Sequence, residues 1–374
     1  MSWRVQNHSE SSPKVLEGND LQSLAKYMKS DSCRNICLML GAGVSTSAGI
    51  PDFRSPGTGL YSNLARLNLP CPEAVFEMDF FRSNPVPFYT LAKEIYPSRY
   101  RPTLTHSFIK VLHSHGLLHT CFTQNIDTLE RRAGVPEEKI IEAHGSFATQ
   151  KCIDCKDPYD DAKIEKAILN SEIPRCERCK GLVKPNIVFF GEALPKRFYQ
   201  SALSLELEGD ADLLIVMGTS LTVNPFASMA DRVKGCPRVL INLNEVGNFH
   251  RQDDIVLLGK CDDIVRRLCR ELGWEEELDR EWEATADNVK TEDKPPAPGK
   301  NAEERISEEL ERITKGIEES LAISEGVPES SPDCDKEETG TERKDKPHSP
   351  EKEELGVGLG KEIQESQSAS DGKL

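Results

Sequence analysis

Between Asn35 and Arg54 the chain reads Asn-Ile-Cys-Leu-Met-Leu, then Gly-Ala-Gly-Val-Ser-Thr-Ser-Ala-Gly-Ile, then Pro-Asp-Phe-Arg. Ile36 to Leu40 is a short apolar run halted by glycine. Such a run predicts a strand buried on both faces, as in a parallel sheet flanked by helices. Gly41 and Gly43 carry no Cβ, which predicts close approach of backbone N–H groups to a ligand. A helix opening within residues 45–49 would turn its positive end toward a phosphate. Gly-x-Gly by itself is more often a plain turn, and Thr46 stands where the usual dinucleotide pattern has its third glycine.

The same grammar recurs downstream. Apolar runs at Leu117–Thr123, Ile140–Ile141, Asp212–Met217, Arg238–Asn242 and Ile255–Leu258 each end in polar or small residues. Those tails are Gln124-Asn125-Ile126-Asp127, Glu-Ala-His144-Gly145, Gly218-Thr219-Ser220, the stretch from Asn242 to Glu245, and Gly259-Lys-Cys261. Helical spacing links Leu21, Leu24, Ala25 and Met28, a stretch expected to dock on the sheet edge. It also marks 105–115, with Phe108, Ile109, Val111 and Leu112 as its apolar stripe, and the segment from Val265 to Leu272. Strands alternating with helices predict an α/β fold, a Rossmann-like doubly wound parallel sheet that binds ligands at the carboxyl ends of its strands. Read one at a time, these tails have plainer meanings. Asp127 is a good helix cap before Thr-Leu-Glu-Arg, His144 a satisfied structural histidine, and Cys261 a buried thiol. The stretch from Leu69 to Tyr100 predicts short helices near 72–76 and 87–95, with Phe76, Phe80, Phe81 and Phe88 packing a core of their own.

Cysteine spacing adds a second constraint. Cys152 and Cys155 form one Cys-x-x-Cys pair, Cys176 and Cys179 another, with 20 residues between. Two knuckles of two thiolates close a tetrahedral Zn2+ site and leave no open position for water, so this metal is structural. A redox dithiol needs one such pair, not two. Ile164, Ala167 and Ile168 predict a short helix between the pairs. The other cysteines are scattered, several inside apolar runs (Cys37, Cys121, Cys269), which fits a reducing compartment rather than a disulfide framework.

Charge divides the chain. From Ala284 onward there are 24 acidic and 13 basic residues, out of 63 and 47 in the whole sequence. That tail, rich in Glu, Lys, Ser and Pro, predicts disorder, with a transient amphipathic helix at Ile306, Leu310, Ile313, Ile317 and Leu321. The body is mildly acidic and has no dense basic stripe, which argues against direct nucleic-acid binding. The first ten residues have no apolar core or Arg-rich character, and no apolar run reaches 18 residues, so neither a leader nor a membrane span is expected.

Taken together, the string from Gly41 to Arg54, Thr-Gln-Asn-Ile-Asp at 123–127, His144-Gly145, Met-Gly-Thr-Ser at 217–220 and the four cysteines resemble the sirtuins, NAD-dependent protein deacylases, nearest the sirtuin-2 branch. The resemblance spans about Cys33 to Trp274. It implies an extension and docking helix over 1–30 and a Rossmann-like domain over 31–54, 104–147 and 184–282. A cofactor loop with a helical module falls over 55–103, a zinc module over 148–183 and the acidic tail over 283–374.

For the site, the resemblance implies His144 as general base and Asn125 as its catalytic partner in positioning ribose and water. NAD contacts fall on Gly41, Ala42, Gly43, Thr46, Asp52, Phe53, Arg54, Tyr61, Gln124, Asn125 and Asp127. On the far side they fall on Gly218, Thr219, Ser220, Asn242, Asn244 and Cys261. Substrate contacts fall on Ile126, Val188, Phe189, Phe190, Gly191 and Glu192, where an extended peptide adds as a strand. Asn186 and Asn244 occupy positions where an acid is expected.

The implied chemistry begins with attack of the acyl oxygen on the nicotinamide ribose and loss of nicotinamide. It ends with free lysine and O-acetyl-ADP-ribose. Sirtuins that remove acidic acyl groups carry Tyr-x-x-Arg after the glycine-rich loop. Here Leu64 follows Tyr61, which predicts neutral acyl groups. The expected partners are acetylated proteins such as histone or tubulin-like tails, with tail-mediated self-association, in the cytoplasm with passage to the nucleus. The rival readings are a mono-ADP-ribosyltransferase, a catalytically silent acetyl-lysine scaffold, and an NAD dehydrogenase, the last disfavoured by the missing third glycine.

Overall fold

The computed structural model describes residues 15–50 and 69–288. The expectations for Asp52, Phe53, Arg54, Tyr61 and Leu64, and for the acidic tail with its amphipathic stretch, lie outside the described residues.

The described elements follow one another as α1 (Leu21–Met28), β1 (Ile36–Leu40), 3-10 turns at Ala42–Val44, Thr46–Ala48 and Pro72–Phe76, α2 (Met78–Ser83), α3 (Val86–Glu94), α4 (Leu104–Ser114) and β2 (Leu118–Thr123). Next come α5 (Leu129–Arg132), β3 (Ile140–Glu142), β4 (Gly145–Cys152), α6 (Asp161–Leu169), β5 (Val183–Ile187), α7 (Lys196–Glu208) and β6 (Leu213–Met217). The series ends with α8 (Phe226–Arg232), β7 (Arg238–Asn242), β8 (Asp254–Leu258), α9 (Cys261–Leu272) and α10 (Glu275–Glu283). No helix among the described residues is long and apolar enough to cross a membrane.

Six strands form one parallel sheet in the order β3-β2-β1-β6-β7-β8. β1 and β6 are apolar on both faces because both faces are covered. Ile36, Leu38, Leu40, Leu213, Ile215 and Met217 pack with α1, α4 and α9, while Cys37, Met39, Leu214 and Val216 pack with α7 and α8. The strand order reverses between β1 and β6, which opens a crevice at their carboxyl ends. Arg238 is wholly buried, and its guanidinium grips Asp254 across the β7–β8 pair with N–O distances of 2.9 and 2.5 Å.

The structure departs from expectation in three places. α1 does not sit on the sheet edge; its buried stripe packs on the sheet face against α9. Residues 45–49 do not open an α-helix. Gly49 takes a left-handed φ of +94° and Pro51 follows, so only single 3-10 turns form. The aromatics of the helical module do not make a core of their own either. Phe76, Phe81, Phe88 and Tyr89 share one core with Ile164, Ile168, Val183 and Phe189, so the helical and zinc segments bury each other.

Candidate active site

The floor of the crevice is built from glycines, for a reason other than the expected one. Gly41 N–H donates to Met217 O and Gly43 N–H to Gly218 O, at 3.1 and 2.7 Å. These donors hold the β1 loop on the β6 loop rather than facing a ligand. A Cβ on Gly41 would lie 2.7 Å from Thr219 Cβ, one on Gly43 2.8 Å from Gly218 Cα, and one on Gly218 2.5 Å from Val44 N. Gly218 also has φ +60°, a conformation that disfavours any side chain.

At the end of β2 the chain turns, and Asn125 and Asp127 share one polar cluster. Ser45, which the motif reading did not single out, joins them. Its hydroxyl donates to Asp127 Oδ2 at 2.7 Å and accepts from Asn125 Nδ2 at 3.3 Å. Asn125 Nδ2 also reaches Gly41 O, and Asp127 Oδ1 accepts from Leu129 N–H at 3.0 Å, an Asx turn one residue ahead of α5, whose N-cap is Thr128 and not the expected Asp127. Gln124 Nε2 donates to Thr219 Oγ1 at 2.9 Å, closing the gap between the β2 and β6 ends.

His144 sits in the joint between β3 and β4. Its Nδ1 lies 3.1 Å from Gln124 O. A carbonyl only accepts, so Nδ1 carries the hydrogen and Nε2 keeps a lone pair. Burial holds the imidazole below its ordinary value of 6.5, so the ring is neutral at neutral pH. Gly145 follows with φ +66°, and a Cβ there would lie 1.9 Å from Asn186 O, so only glycine lets β4 close on β5. Val188 N–H then donates to His144 O at 2.8 Å. The histidine and the segment expected to take substrate are therefore one hydrogen-bonded unit.

In that segment Val188 is half-buried, Phe189 buried and Phe190 exposed. Glu192 Oε2 accepts from Phe189 N–H at 2.8 Å and from Lys184 Nζ at 3.4 Å. Its carboxylate shapes the turn. Burial depresses Lys184 to about 8. Asn186 Nδ2 donates to Thr149 Oγ1 at 2.7 Å. Phe76, read from sequence as packing alone, both packs and lines the cavity.

These pieces enclose a cavity of about 1020 Å³. It is lined by Gly41, Ala42, Gly43, Thr46, Gln124, Asn125, Ile126, His144, Val188, Phe189, Phe190, Gly191, Glu192, Gly218, Thr219 and Ser220, and on the far side by Asn242, Asn244 and Cys261. Burial pushes the Cys261 thiol up to about 12, and its Sγ faces Ile241 O. Asn242 Nδ2 donates to Asn244 O at 2.8 Å, while Glu245 is exposed.

Asp262, next to Cys261, was not foreseen. Its carboxylate accepts from Ser47 Oγ at 2.5 Å and from the Thr105 N–H and hydroxyl at 2.9 and 2.6 Å. The only hint in the sequence is an acid at the start of α9, which ordinarily signals nothing beyond a favourable helix dipole.

The four cysteine sulfurs lie within 4.8 Å of one another. Their two knuckles are built alike. Lys156 and Lys180, each four residues after the first cysteine, take φ of 62° and 64° and return an N–H to the carbonyls of Cys152 and Cys176. This set of four thiolates fits one structural Zn2+.

Residues 41–225 match the Sir2 family. The chain is 52% identical over 334 residues to an NAD-dependent protein deacetylase hst2-1 of Emericella nidulans, covering 86% of this chain and 92% of that one. It is 51% identical to the hst2 deacetylase of Schizosaccharomyces pombe over 265 residues, with 70% and 78% covered. To the sirtuin-2 deacetylase of Danio rerio it is 48% identical over 290 residues, with 71% and 75% covered.

Proposed function

The chain belongs to the Sir2 family, the sirtuins, and from this and the geometry of the crevice we infer that it is an NAD-dependent protein-lysine deacetylase. The observation that carries the reading is the state of His144, a neutral imidazole with Nδ1 tied to Gln124 O and Nε2 left to act as base. NAD suits the crevice, which lies at the strand-order reversal and whose interlocked glycine floor any Cβ would disrupt. When bound, NAD supplies an electrophilic ribose carbon and nicotinamide as leaving group.

The chain's own residues do the rest. Asn125 lines the cavity beside Ser45 and Asp127, and this trio orients the nicotinamide half. His144 Nε2 takes a hydroxyl proton on the substrate side, and the Gln124 carbonyl steadies the imidazolium that results. The segment from Val188 to Glu192 receives the peptide by strand addition. Phe76, Ile187, Val188, Phe189 and Leu194 offer apolar surface to an uncharged acyl group. On this reading the products are deacylated lysine, nicotinamide and O-acetyl-ADP-ribose. The substrates are acetylated protein tails of histone or tubulin type, met in the cytoplasm with passage to the nucleus.

Mass spectrometry of an acetyl-lysine peptide, with and without NAD, tests this. NAD-dependent loss of acetyl with matching nicotinamide and O-acetyl-ADP-ribose is expected, and His144→Ala abolishes it. Nicotinamide release with ADP-ribose left on protein would instead establish a transferase. Peptide binding with no NAD turnover would leave a scaffold.

A further inference from the structure

Lys184 is a cation inside a strand. It lies on β5 between the buried Val183 and Pro185 and is only 5% exposed. Lysine is almost never buried to this degree unless it is paired. The one carboxylate it meets among the described residues, that of Glu192, stands 3.4 Å away and is 40% exposed. Taking an ammonium out of water is costly, and burial pulls its pKa down accordingly. An unbranched apolar residue would fill the same space without that cost.

What distinguishes the ammonium is its contacts, and all of them fall on one turn. Nζ donates to Ile187 O at 2.5 Å and to Glu192 Oε2 at 3.4 Å, and stands 4.0 Å from the centre of the Phe189 ring. An ammonium offers three hydrogens, and the face of an aromatic ring attracts it. Lys184 does not itself line the cavity, whereas Ile187, Phe189 and Glu192 do.

That turn has little else to hold it. β5 ends at Ile187, and from Val188 to Glu192 the only strand-like pairing is an isolated bridge between Phe190 and Glu77. A segment that receives a peptide by strand addition must still keep a fixed, extended shape. Val188 N–H donates to His144 O and Phe190 N–H to Phe76 O, each at 2.8 Å. Phe189, between them, is gripped by Glu192, whose Oε2 accepts from its N–H at 2.8 Å and whose N–H donates to Phe189 O at 3.0 Å. The Phe189 ring meets Phe76, Phe81 and Phe88 with centroids 5.9, 5.6 and 5.3 Å apart, and the ammonium covers its face. Lys184 is thus the one side chain that touches the start, the middle and the end of the turn.

We propose that Lys184 is a positioning residue for the acylated peptide: from behind the cavity wall its ammonium holds Ile187 O, the Phe189 ring and the Glu192 carboxylate in one arrangement, and so sets the segment on which the peptide adds. The kinetic consequence rests on the deacetylase reading; the structural one does not.

The test uses the zinc-loaded full chain. Lys184→Met keeps the unbranched stem and removes the donors and the charge. Hydrogen–deuterium exchange read by mass spectrometry is expected to speed up roughly tenfold over residues 188–192, with β1 and β6 unchanged. Unchanged exchange over 188–192 overturns the proposal, and so does an equal rise in β1 and β6, which would make Lys184 a general stabiliser. This readout needs no turnover, so its failure is distinct from failure of the deacetylase reading. In steady-state kinetics, Lys184→Met is expected to raise KM for an acetyl-lysine peptide roughly tenfold, with kcat and KM for NAD within about threefold. An unchanged peptide KM overturns the proposal. Glu192→Gln is expected to cost less in the Lys184→Met background than in the native chain, and full additivity overturns the link through Glu192. If Lys184→Met does not fold, Lys184→Gln, which keeps a donor for Ile187 O, is read in the same two ways; a smaller rise is expected in each, and no rise in either overturns the proposal.

Discussion

At the scale of single residues, the site works by withholding alternatives. His144 can present only Nε2 because Nδ1 is taken by Gln124 O. Burial lowers its pKa, so the neutral base persists on acidification past the ordinary 6.5 and is lost only below it. The acid limb of the kcat/KM profile is therefore expected below pH 6.5, and a limb at or above 7 would contradict the assignment. Gly145 is equally constrained. Gly145→Ala meets the +66° dihedral, which costs about 1–2 kcal/mol on its own, and drives a methyl into Asn186 O. A lowered Tm and a raised peptide KM are the expected outcome, read by calorimetry and initial rates. Neither constraint was legible in the sequence, where His144-Gly145 is a dipeptide that acquires meaning only through the family resemblance. Ser45 stayed hidden because it lies in a string whose glycines invite a backbone interpretation.

At the scale of elements, the strands were legible and their partnerships less so. Runs such as Ile36–Leu40 and Leu213–Met217 declare themselves because burial on both faces leaves no polar residue to blur them. The pairing of β4 with β5 could not be read, since β4 alternates weakly and Pro185 interrupts β5. Its ends matter nonetheless. Cys152 faces Val183 at one end, beside the four thiols, and Gly145 faces Ile187 at the other, beside His144. Removing zinc with a chelator, or Cys176→Ser, is expected to unravel the zinc-bearing end and abolish deacetylation, although no cysteine of the cluster lines the cavity. Loss of zinc by metal analysis in step with loss of activity checks this; a fully active zinc-free chain would refute it.

At the scale of the molecule, two bodies meet at the crevice. One is the doubly wound sheet with a core on each face; the other is the joint core of the helical and zinc segments. Composition and periodicity announced the first. The second is assembled from residues more than a hundred positions apart, Phe76 against Phe189 for example, and local pattern carries no trace of such a contact. Arg238 also misleads when read locally, as a polar flank to a strand. In the fold it is fully buried on Asp254 and ties the two last strands of the sheet together. Asp254→Ala removes its two-point partner and leaves that charge only the exposed Asp231 carboxylate at 3.3 Å, and a loss of roughly 3 kcal/mol in urea unfolding is expected. The glycine floor has a consequence in another domain, that of descent. Gly41, Gly43 and Gly218 fill one another's missing side-chain space, so none can be exchanged alone without collision. A lineage that alters this floor must change both loops in the same step, which makes these atoms, inert in the chemistry, among the hardest in the chain for mutation to reach past.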